Sequence, residues 1–219
     1  MSSITKKLSG LDETKSTLLC EIMGRNKSDK GNLDITKSWH NYTTVYDILF
    51  KDFKDKEISL FELGLGSINP NMPYNMGANG RPGASLYSWA EYFPKAKIYA
   101  ADIDKNTLFN TERIETFFCD QKNKIRIKMM WKKINKDFDI IVEDGLHEIY
   151  ANVIFFENSI HKIKIGGYFI IEDIAKPKEM SFHISRWKNN YLNFDIELIN
   201  IPSSVNNYDN NMVIAYRKY

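Results

Sequence analysis

Two pairs of acidic residues end short apolar runs in the second half of the sequence. Glu143 and Asp144 end the run FDIIVED, and His147 lies three residues beyond Asp144. Glu172 and Asp173 end the run GYFIIED. If both runs are parallel strands, their carboxyl ends open on one edge of a sheet, and we expect the acids to meet there. Such carboxylates, with few basic residues nearby in the sequence, repel one another unless protons or a hard cation neutralise them, and oxygen ligands without cysteine favour Mg²⁺ ahead of Mn²⁺ or Ca²⁺.

His147 has an ionisation suited to proton transfer at such a site. The imidazole pKa is normally about 6.5, so the ring can take a proton from a hydroxyl bound beside the ion. A lone histidine more often packs in a core or faces solvent, and a lone strand-end aspartate often caps a loop. Two acid pairs with one histidine favour the catalytic interpretation, with His147 and Asp144 as catalytic residues. The claims of His40, His161 and His183 are weaker.

A glycine turn follows the first apolar run, in FELGLG at 61–66. Gly64 and Gly66 allow the backbone to approach a ligand closely, as in nucleoside sites, although a GxG can also be an incidental turn. A pyrophosphate site needs a further glycine and a helix that begins directly after the turn. Asn69 stands where that glycine would be, and the helix is delayed until about Ala84. NAD is therefore disfavoured.

Acids also stand at the ends of the first three runs. Asp102 ends KIYAAD, where an acid can accept hydrogen bonds from both hydroxyls of a ribose, whereas Asp104 is better placed to cap the next helix. Glu62 either meets an ammonium group of a ligand or makes a structural hydrogen bond. Asp120 lies where an adenine amino group would be, with an N-cap of the next helix as the alternative. A ribose and an ammonium group without phosphates describe S-adenosylmethionine.

The predicted cofactor site gathers these residues, and Tyr42 is added as a side chain that covers the cofactor or else packs the N-terminal helix. The acceptor pocket is expected between the Asn-rich insertion at 67–83 and the segment around Phe182, His183 and Trp187. The predicted cofactor-binding residues are Glu62, Gly64, Gly66, Ser67, Asp102, Asp120 and Tyr42.

The elements that position these residues alternate between strands and helices. Apolar runs typical of buried parallel strands lie at 58–64, 97–102, 114–119, 138–144 and 167–173. Crossover helices are predicted at 84–93, 104–112, 121–132 and 149–163. Two further strands, at 193–201 and 211–219, have no room for a helix between them and predict an antiparallel hairpin. The fold class is therefore α/β, a doubly wound Rossmann-like sheet of seven strands, which is typical of methyltransferases.

The N-terminal residues predict a helical cap on this sheet. Leucine and isoleucine spacing indicates a helix over 9–24, and Thr43 or Thr44 can cap a second one. We expect one domain, 1–219, made of a cap over 1–55 and a core over 56–219.

Composition excludes several classes of protein. The 219 residues are 43% hydrophobic and 26% charged, the balance of a globular chain rather than a disordered one. A net charge of +2, from dispersed basic residues, argues against a nucleic-acid partner. Two cysteines fit a reducing cytoplasm. The N-terminus has no apolar signal region and no run is long enough to span a bilayer, so membrane insertion and secretion are not expected.

Several motifs together resemble those of the macrolide and sugar O-methyltransferases of the macrocin/mycinamicin type. SLYSW and YFP within 85–94 are similar to the SLRMW…YFP helix of that family, and IYAADI to its GLDI strand. FDIIVEDGLH (138–147) is similar to its D-D-x-S-H segment, and GGYFIIEDI (166–174) to GG-x-Y-x-x-EDL. TKSWHNYTTVYDILF resembles the motif H-x-Y-T-x-x-Y, so the likeness covers about residues 35–175. The wider group includes the cephalosporin-biosynthesis protein CmcI.

The resemblance implies a magnesium-dependent transfer of a methyl group from S-adenosylmethionine to a hydroxyl of a sugar or of a saccharide-containing small molecule. It implies metal ligation by Asp144, Glu172 and Asp173, and base catalysis by His147. It also implies cofactor contacts from Glu62, Gly64, Asp102 and Asp120. Family members commonly assemble through their N-terminal regions, so a homo-oligomer is an expectation by analogy.

The chain departs from the family pattern at three places, and these leave the metal geometry and the acceptor open. Glu143 replaces the first Asp of the D-D motif, Leu146 replaces a small polar residue, and the 67–83 loop is unusually long. Two other functions are therefore kept. One is a methyltransferase that acts on nitrogen or a phosphoramidate in saccharide modification, and the other is a nucleoside-binding module without catalysis.

Overall fold

The computed structural model describes residues 2–219, which form a seven-stranded sheet. The strands are β1 (Ser59–Leu63), β2 (Lys97–Asp102), β3 (Ile114–Phe118), β4 (Phe138–Glu143), β5 (Ile163–Ile171), β6 (Phe194–Asn200) and β7 (Asn211–Arg217). Their order in the sheet is β3-β2-β1-β4-β5-β7-β6. β7 runs antiparallel to β5 and β6, and the other neighbouring pairs are parallel. The predicted fold class and C-terminal hairpin are confirmed.

The central strands are apolar on both sides because helices cover both faces of the sheet. Ile140, Ile141 and Val142 are consecutive in β4 and all fully buried, as expected for an internal parallel strand. β1 pairs with β2 on one side and with β4 on the other. The strand order reverses at this point, and ligands of such sheets bind outside the carboxyl ends of the strands there.

Seven α-helices are described in residues 2–219: α1 (Ser3–Lys7), α2 (Leu18–Asn26), α3 (Tyr42–Phe50), α4 (Ala84–Tyr92), α5 (Lys124–Ile134), α6 (Ile149–Glu157) and α7 (Pro177–Asn190). One apolar core joins α1 to α4 to one face of the sheet and includes Tyr46 and Trp89. A second core joins α5 to α7 to the other face and includes Trp131, Phe155 and Trp187. The N-terminal helices thus share a core with the strands that carry the acids.

The N-terminal helices differ from the prediction in their limits. Residues 9–24 are not one helix, because α2 begins only after Thr17, whose hydroxyl accepts a hydrogen bond from the backbone N–H of Cys20. Thr43 and Thr44 do not cap α3, since that helix has already begun one residue earlier.

The connection between β2 and β3 also differs from the prediction. In place of a helix over 104–112 it has a single 3-10 turn at Lys105–Thr107, followed by a β-bridge between Asn110 and Glu115. The carboxylate of Asp104 accepts from the N–H of Asn106 at the start of this turn, and beyond the turn the backbone of Phe109 bonds to the hydroxyl of Thr116 in β3. The other predicted crossover helices are present as α4, α5 and α6.

Two expectations concern the whole chain: the absence of a membrane span and the division into a cap and a core. Among residues 2–219 there is no helix with the length and apolar character that a bilayer crossing requires. The division into a cap over 1–55 and a core over 56–219 stays a prediction.

Candidate active site

A cavity of about 350 Å³ lies at the carboxyl ends of β1 to β4. Its volume is in the range of small-ligand sites. The glycine turn after β1, the residues after β2 and β3, and the segment after β4 form its walls. Of the predicted site residues, those that line it are Gly64, Gly66, Ser67, Asp102, Asp120, Asp144 and His147.

The insertion after the glycine turn forms another wall of the cavity. Met72, Tyr74 and Met76 contribute to it. The backbone N–H of Gly83 donates to the carbonyl oxygen of Leu65 at 2.7 Å and closes the base of the loop. The segment 67–82 is therefore a compact loop whose two ends lie together, an Ω-loop.

The glycine turn needs glycine at both positions. Gly64 has φ +92° and Gly66 has φ +76°, in the left-handed region that other residues rarely adopt. A Cβ on Gly64 would overlap the backbone carbonyl of Asp144, and one on Gly66 would overlap the side chain of Met76. Gly64 thus allows the ends of β1 and β4 to approach each other closely.

Asp102 is buried at the end of β2 and is held by backbone donors. Its two carboxylate oxygens accept from the N–H groups of Leu65 at 2.7 Å and Asp104 at 2.8 Å. Burial raises the pKa of Asp102, and these hydrogen bonds oppose the rise. Asp104 caps the turn that follows, as predicted, by accepting from the N–H of Asn106.

Asp120 lines the cavity but does not cap a helix. Its carboxylate accepts from the N–H of Lys122 at 2.9 Å, and the N-cap of α5 is Asn123. Next to it, Gln121 donates through Nε2 to Glu143 Oε1 at 2.5 Å. Gln121 also lines the cavity and was not predicted as a site residue.

Glu62 and Tyr42 do not line the cavity. Glu62 is fully buried, and its carboxylate accepts from the hydroxyl of Ser85 at 2.7 Å and from the indole N–H of Trp89. Burial raises the pKa of Glu62 to about 7. For Glu62 the geometry is that of the structural hydrogen bond kept as an alternative in the sequence analysis.

Tyr42 instead contacts Asp173, one of the acids at the end of β5. Its hydroxyl donates to Asp173 Oδ1 at 2.6 Å and to the backbone carbonyl of Asp209 at 3.1 Å. The ring stacks on His40 with centroids 4.6 Å apart, and His40 Nε2 lies 3.4 Å from Asp173 Oδ1. Tyr42 and His40 thus hold the carboxylate of Asp173 from the N-terminal side.

Asp144, His147 and Asp173 meet at the carboxyl ends of β4 and β5. Each offers a ligand atom, and these atoms lie within 4.8 Å of one another. His147 Nδ1 is 3.2 Å from Asp173 Oδ2, and His147 Nε2 is 4.0 Å from Asp144 Oδ1. His147 and Asp173 have φ angles of +57° and +56°, a strained conformation that clusters at functional sites.

The donor set fits a divalent cation in part as predicted. Asp144 and Asp173 bring together carboxylate oxygens, the ligands that Mg²⁺ prefers. The third predicted ligand, Glu172, is buried, and its carboxylate is bound by the ammonium of Lys30 and the hydroxyl of Tyr46. Two of the three predicted ligands are therefore available together, beside the predicted base.

The charge of His147 is set by its neighbours. Burial acts to lower its pKa, but the carboxylates of Asp173, Asp144 and Glu143 outweigh burial, and the pKa is raised. The edge of the ring also meets the Tyr74 ring, with centroids 5.3 Å apart.

Lys30 is the main residue that sequence reasoning missed. It is 2% exposed, and its ammonium contacts the carboxylates of Asp144 and Glu172 and lies 3.6 Å from Glu62 Oε1. Burial acts to lower the pKa of Lys30, but these three carboxylates raise it well above its usual value. The expectation that little basic compensation lies near the acids is therefore wrong.

No signal near the acids could have found Lys30. It stands in the polar stretch SDKGNLD, more than 100 residues before Asp144, where a lysine usually faces solvent. The one indirect signal is a count of the buried acids, which requires a cation from elsewhere in the chain.

Comparisons with curated proteins give sugar O-methyltransferases as relatives, and no family model matches the chain. An 8-demethyl-8-alpha-L-rhamnosyl tetracenomycin-C 2'-O-methyltransferase of Streptomyces olivaceus is 28% identical over 150 residues, which are 68% of this chain and 36% of the relative. The mycinamicin VI 2''-O-methyltransferase of Micromonospora griseorubida is 30% identical over 136 residues, 62% of this chain and 32% of the relative. The chain thus spans about a third of the length of the curated relatives that it matches.

Solved structures agree on the fold. The MycE methyltransferase of the mycinamycin pathway, in complex with Mg and SAH, has a TM-score of 0.71 and 22% identity, covering 94% of this chain and 56% of that one. An O-methyltransferase from Bacillus cereus in complex with SAH has a TM-score of 0.58 and 14% identity, covering 99% and 98%. The resemblance predicted from the motifs is confirmed, and the predicted cofactors are those of MycE.

Proposed function

We propose that this chain, which has the class I methyltransferase fold and sugar O-methyltransferases as homologues, transfers the methyl group of S-adenosylmethionine to a sugar hydroxyl in a small molecule. The observation that carries the proposal is that the cavity adjoins the acid cluster, which is formed by Asp144, His147 and Asp173. Asp144 and His147 line the cavity, and Asp173 lies directly behind His147. A methyl donor bound in the cavity would therefore end beside a base.

The cavity suits a nucleoside without phosphates. Its glycine turn leads into the Ω-loop instead of a helix N-terminus, so the amide cradle of a pyrophosphate site is not formed there. Asp102 lies at the end of β2, where the ribose of such ligands binds, and Asp120 at the end of β3 could accept from an adenine amino group. Gly64, Gly66 and the neighbouring Ser67 would hold the sulfonium end of the cofactor.

The residues of the acid cluster would have different roles in the reaction. Asp144 and Asp173 would hold Mg²⁺, which, when bound, acidifies the acceptor hydroxyl. Asp173 Oδ2, 3.2 Å from Nδ1, orients the His147 ring. The other ring nitrogen, Nε2, would then accept the hydroxyl proton as the oxygen attacks the methyl group in line. The sulfonium is already an activated donor, so no covalent intermediate with the protein is needed.

A two-part experiment tests the proposal. Calorimetry with S-adenosylhomocysteine, with and without Mg²⁺, is expected to show binding of the nucleoside. A panel of deoxysugar-bearing macrolides, simpler glycosides and amino sugars is then incubated with S-adenosylmethionine, and formation of S-adenosylhomocysteine is measured with and without EDTA. Turnover on hydroxyl acceptors that EDTA abolishes supports the proposal.

Other outcomes would replace it with the alternatives. Turnover confined to amino groups or phosphoramidates would indicate a transferase of that kind. Nucleoside binding without turnover on any acceptor and without a response to Mg²⁺ would indicate a binding module. A cytoplasmic location and a homo-oligomeric state stay predictions.

A further inference from the structure

Lys30 places a buried positive charge against two of the three ligands predicted for the ion. Its ammonium contacts Asp144 Oδ2 and Glu172 Oε2, and Glu62 Oε1 lies 3.6 Å away. Asp144 and Glu172 lie at the ends of β4 and β5, whereas Lys30 lies in the segment between α2 and α3. The mechanism proposed above has no use for this amine.

The backbone around Lys30 is built to bring its side chain to this position. The carbonyl oxygen of Lys30 accepts from the N–H of Thr43 at 3.2 Å. The next residue, Gly31, packs so closely on Thr43 that a Cβ there would overlap the threonine side chain. The segment is therefore fixed against α3, and the lysine points inward from a defined position.

The two oxygens of Asp144 serve different partners. Oδ2 is bound to the ammonium of Lys30, and Oδ1 lies 4.0 Å from His147 Nε2. A divalent ion on Oδ1 would share one carboxylate with the ammonium. Two cations on one carboxylate repel each other, and repulsion is strong where water is excluded.

We propose that Lys30 is a positioning residue that competes with the divalent ion: its ammonium keeps Glu172 out of the coordination sphere and weakens the affinity of the Asp144–Asp173 site for the ion. This inference rests on the proposed function. In the ion-free protein Lys30 supplies the positive charge that neutralises these carboxylates. The ion then binds weakly to the free enzyme, through Asp144 Oδ1 and Asp173.

Manganese binding tests this inference without any activity measurement. Free Mn²⁺ is measured by electron paramagnetic resonance as it is titrated into wild type, Lys30→Met and Lys162→Met. Lys30→Met is expected to bind Mn²⁺ at least about tenfold more tightly than wild type, because a nearby like charge is removed. Its melting temperature in EDTA is expected to fall below that of wild type and to recover on addition of Mn²⁺.

Lys162→Met is the matched control, since Lys162 is partly buried and paired with Asp137, and it precedes β5 whereas Glu172 and Asp173 follow that strand. It is expected to bind Mn²⁺ as wild type does. If Lys30→Met does not fold in EDTA, the titration uses Lys30→Met with Glu62→Gln, which removes one of the uncompensated charges. Glu62→Gln alone is then the reference.

The outcomes separate the inference from the proposed function. Equal or weaker Mn²⁺ binding after removal of Lys30, with clear binding by wild type, overturns the inference and leaves the proposed function in place. Binding by the Lys30 variant alone supports the inference, because wild type then binds the ion too weakly for detection in the free enzyme, and the EDTA arm of the turnover assay decides whether the reaction uses the ion. No binding by any protein overturns both.

Discussion

The two halves of the candidate site are built in different ways. On the cofactor side, at the ends of β2 and β3, the acids bond to the backbone of adjoining turns: Asp102 accepts from Leu65 and Asp104, and Asp120 from Lys122. On the acid side, at the ends of β4 and β5, the carboxylates bond to side chains that are distant in sequence. Their partners there are Lys30, His40, Tyr42 and Tyr46.

This difference separates two tasks. The cofactor side presents shape and hydrogen-bond acceptors to a ligand, and local turns are sufficient for that. The acid side must hold several buried carboxylates in one place, which is costly unless cations and donors surround them. Because those partners lie on α3 and on the segment before it, the charge chemistry of the acid side depends on the N-terminal helices.

The largest effect is expected from the acid side, at His147. His147→Ala removes the base and should lower turnover by about 10² to 10⁴ while leaving nucleoside affinity unchanged. Single-turnover assays and calorimetry with S-adenosylhomocysteine measure the two effects separately. His147→Asn is the companion variant, because asparagine tolerates the left-handed backbone at this position. Wild-type turnover in both variants would remove His147 from catalysis.

The second effect is expected where the two sides touch, at Gly64. Gly64→Ala adds a Cβ against the carbonyl of Asp144 in a left-handed conformation, so the free energy of unfolding should fall by at least about 2 kcal/mol. Gly77→Ala is the control, since Gly77 has φ +71° but open space around it. Urea denaturation should show a clearly smaller loss for Gly77→Ala. Equal losses would mean that backbone strain alone causes the loss of stability at Gly64, and that its close approach to Asp144 adds nothing.

The third effect is a pH dependence from Glu143, which joins the two sides through Gln121. Burial raises the pKa of Glu143 to about 7, above the value of an unfolded glutamate. Its contribution to stability is therefore present at low pH and is lost as the pH rises towards about 7 and beyond. As the pH rises from 5 to 8, the free energy of unfolding of Glu143→Gln should increase relative to that of wild type by on the order of 1 kcal/mol. Thermal unfolding in EDTA measures the stability of both proteins across this range. A difference between them that does not change with pH would contradict the prediction.

The smallest effect is expected on the cofactor side, at Asp120. Asp120→Ala would remove the proposed hydrogen bond from the adenine amino group, so the dissociation constant of S-adenosylhomocysteine should rise about three- to tenfold. Asp120→Asn keeps an acceptor oxygen and should bind almost as wild type does. Should the alanine variant bind as tightly as wild type, Asp120 would have only the local contact with Lys122.

The same contrast explains how far the sequence could predict the structure. The period of the apolar runs predicted five parallel strands and the closing hairpin, because that pattern is local. The strand-end acids and the glycine turn were found for the same reason. Lys30 was not found, and the sequence could not decide between the two roles kept for Glu62 and for Tyr42, because both depend on which faces pack together. The absence of a helix over 104–112 also reflects tertiary contacts, since the backbone of Phe109 bonds to the hydroxyl of Thr116 in β3.

The closed base of the 67–82 loop has a consequence for how such chains diversify. Its ends are joined by the hydrogen bond from Gly83 to Leu65, so the path between them can vary without moving β1 or α4. Exchange of this segment would reshape the wall of the cavity that it forms and would replace Tyr74, whose ring packs against that of His147. A chimaera that carries a relative's loop is thus a direct route to altered acceptor preference on an unaltered scaffold.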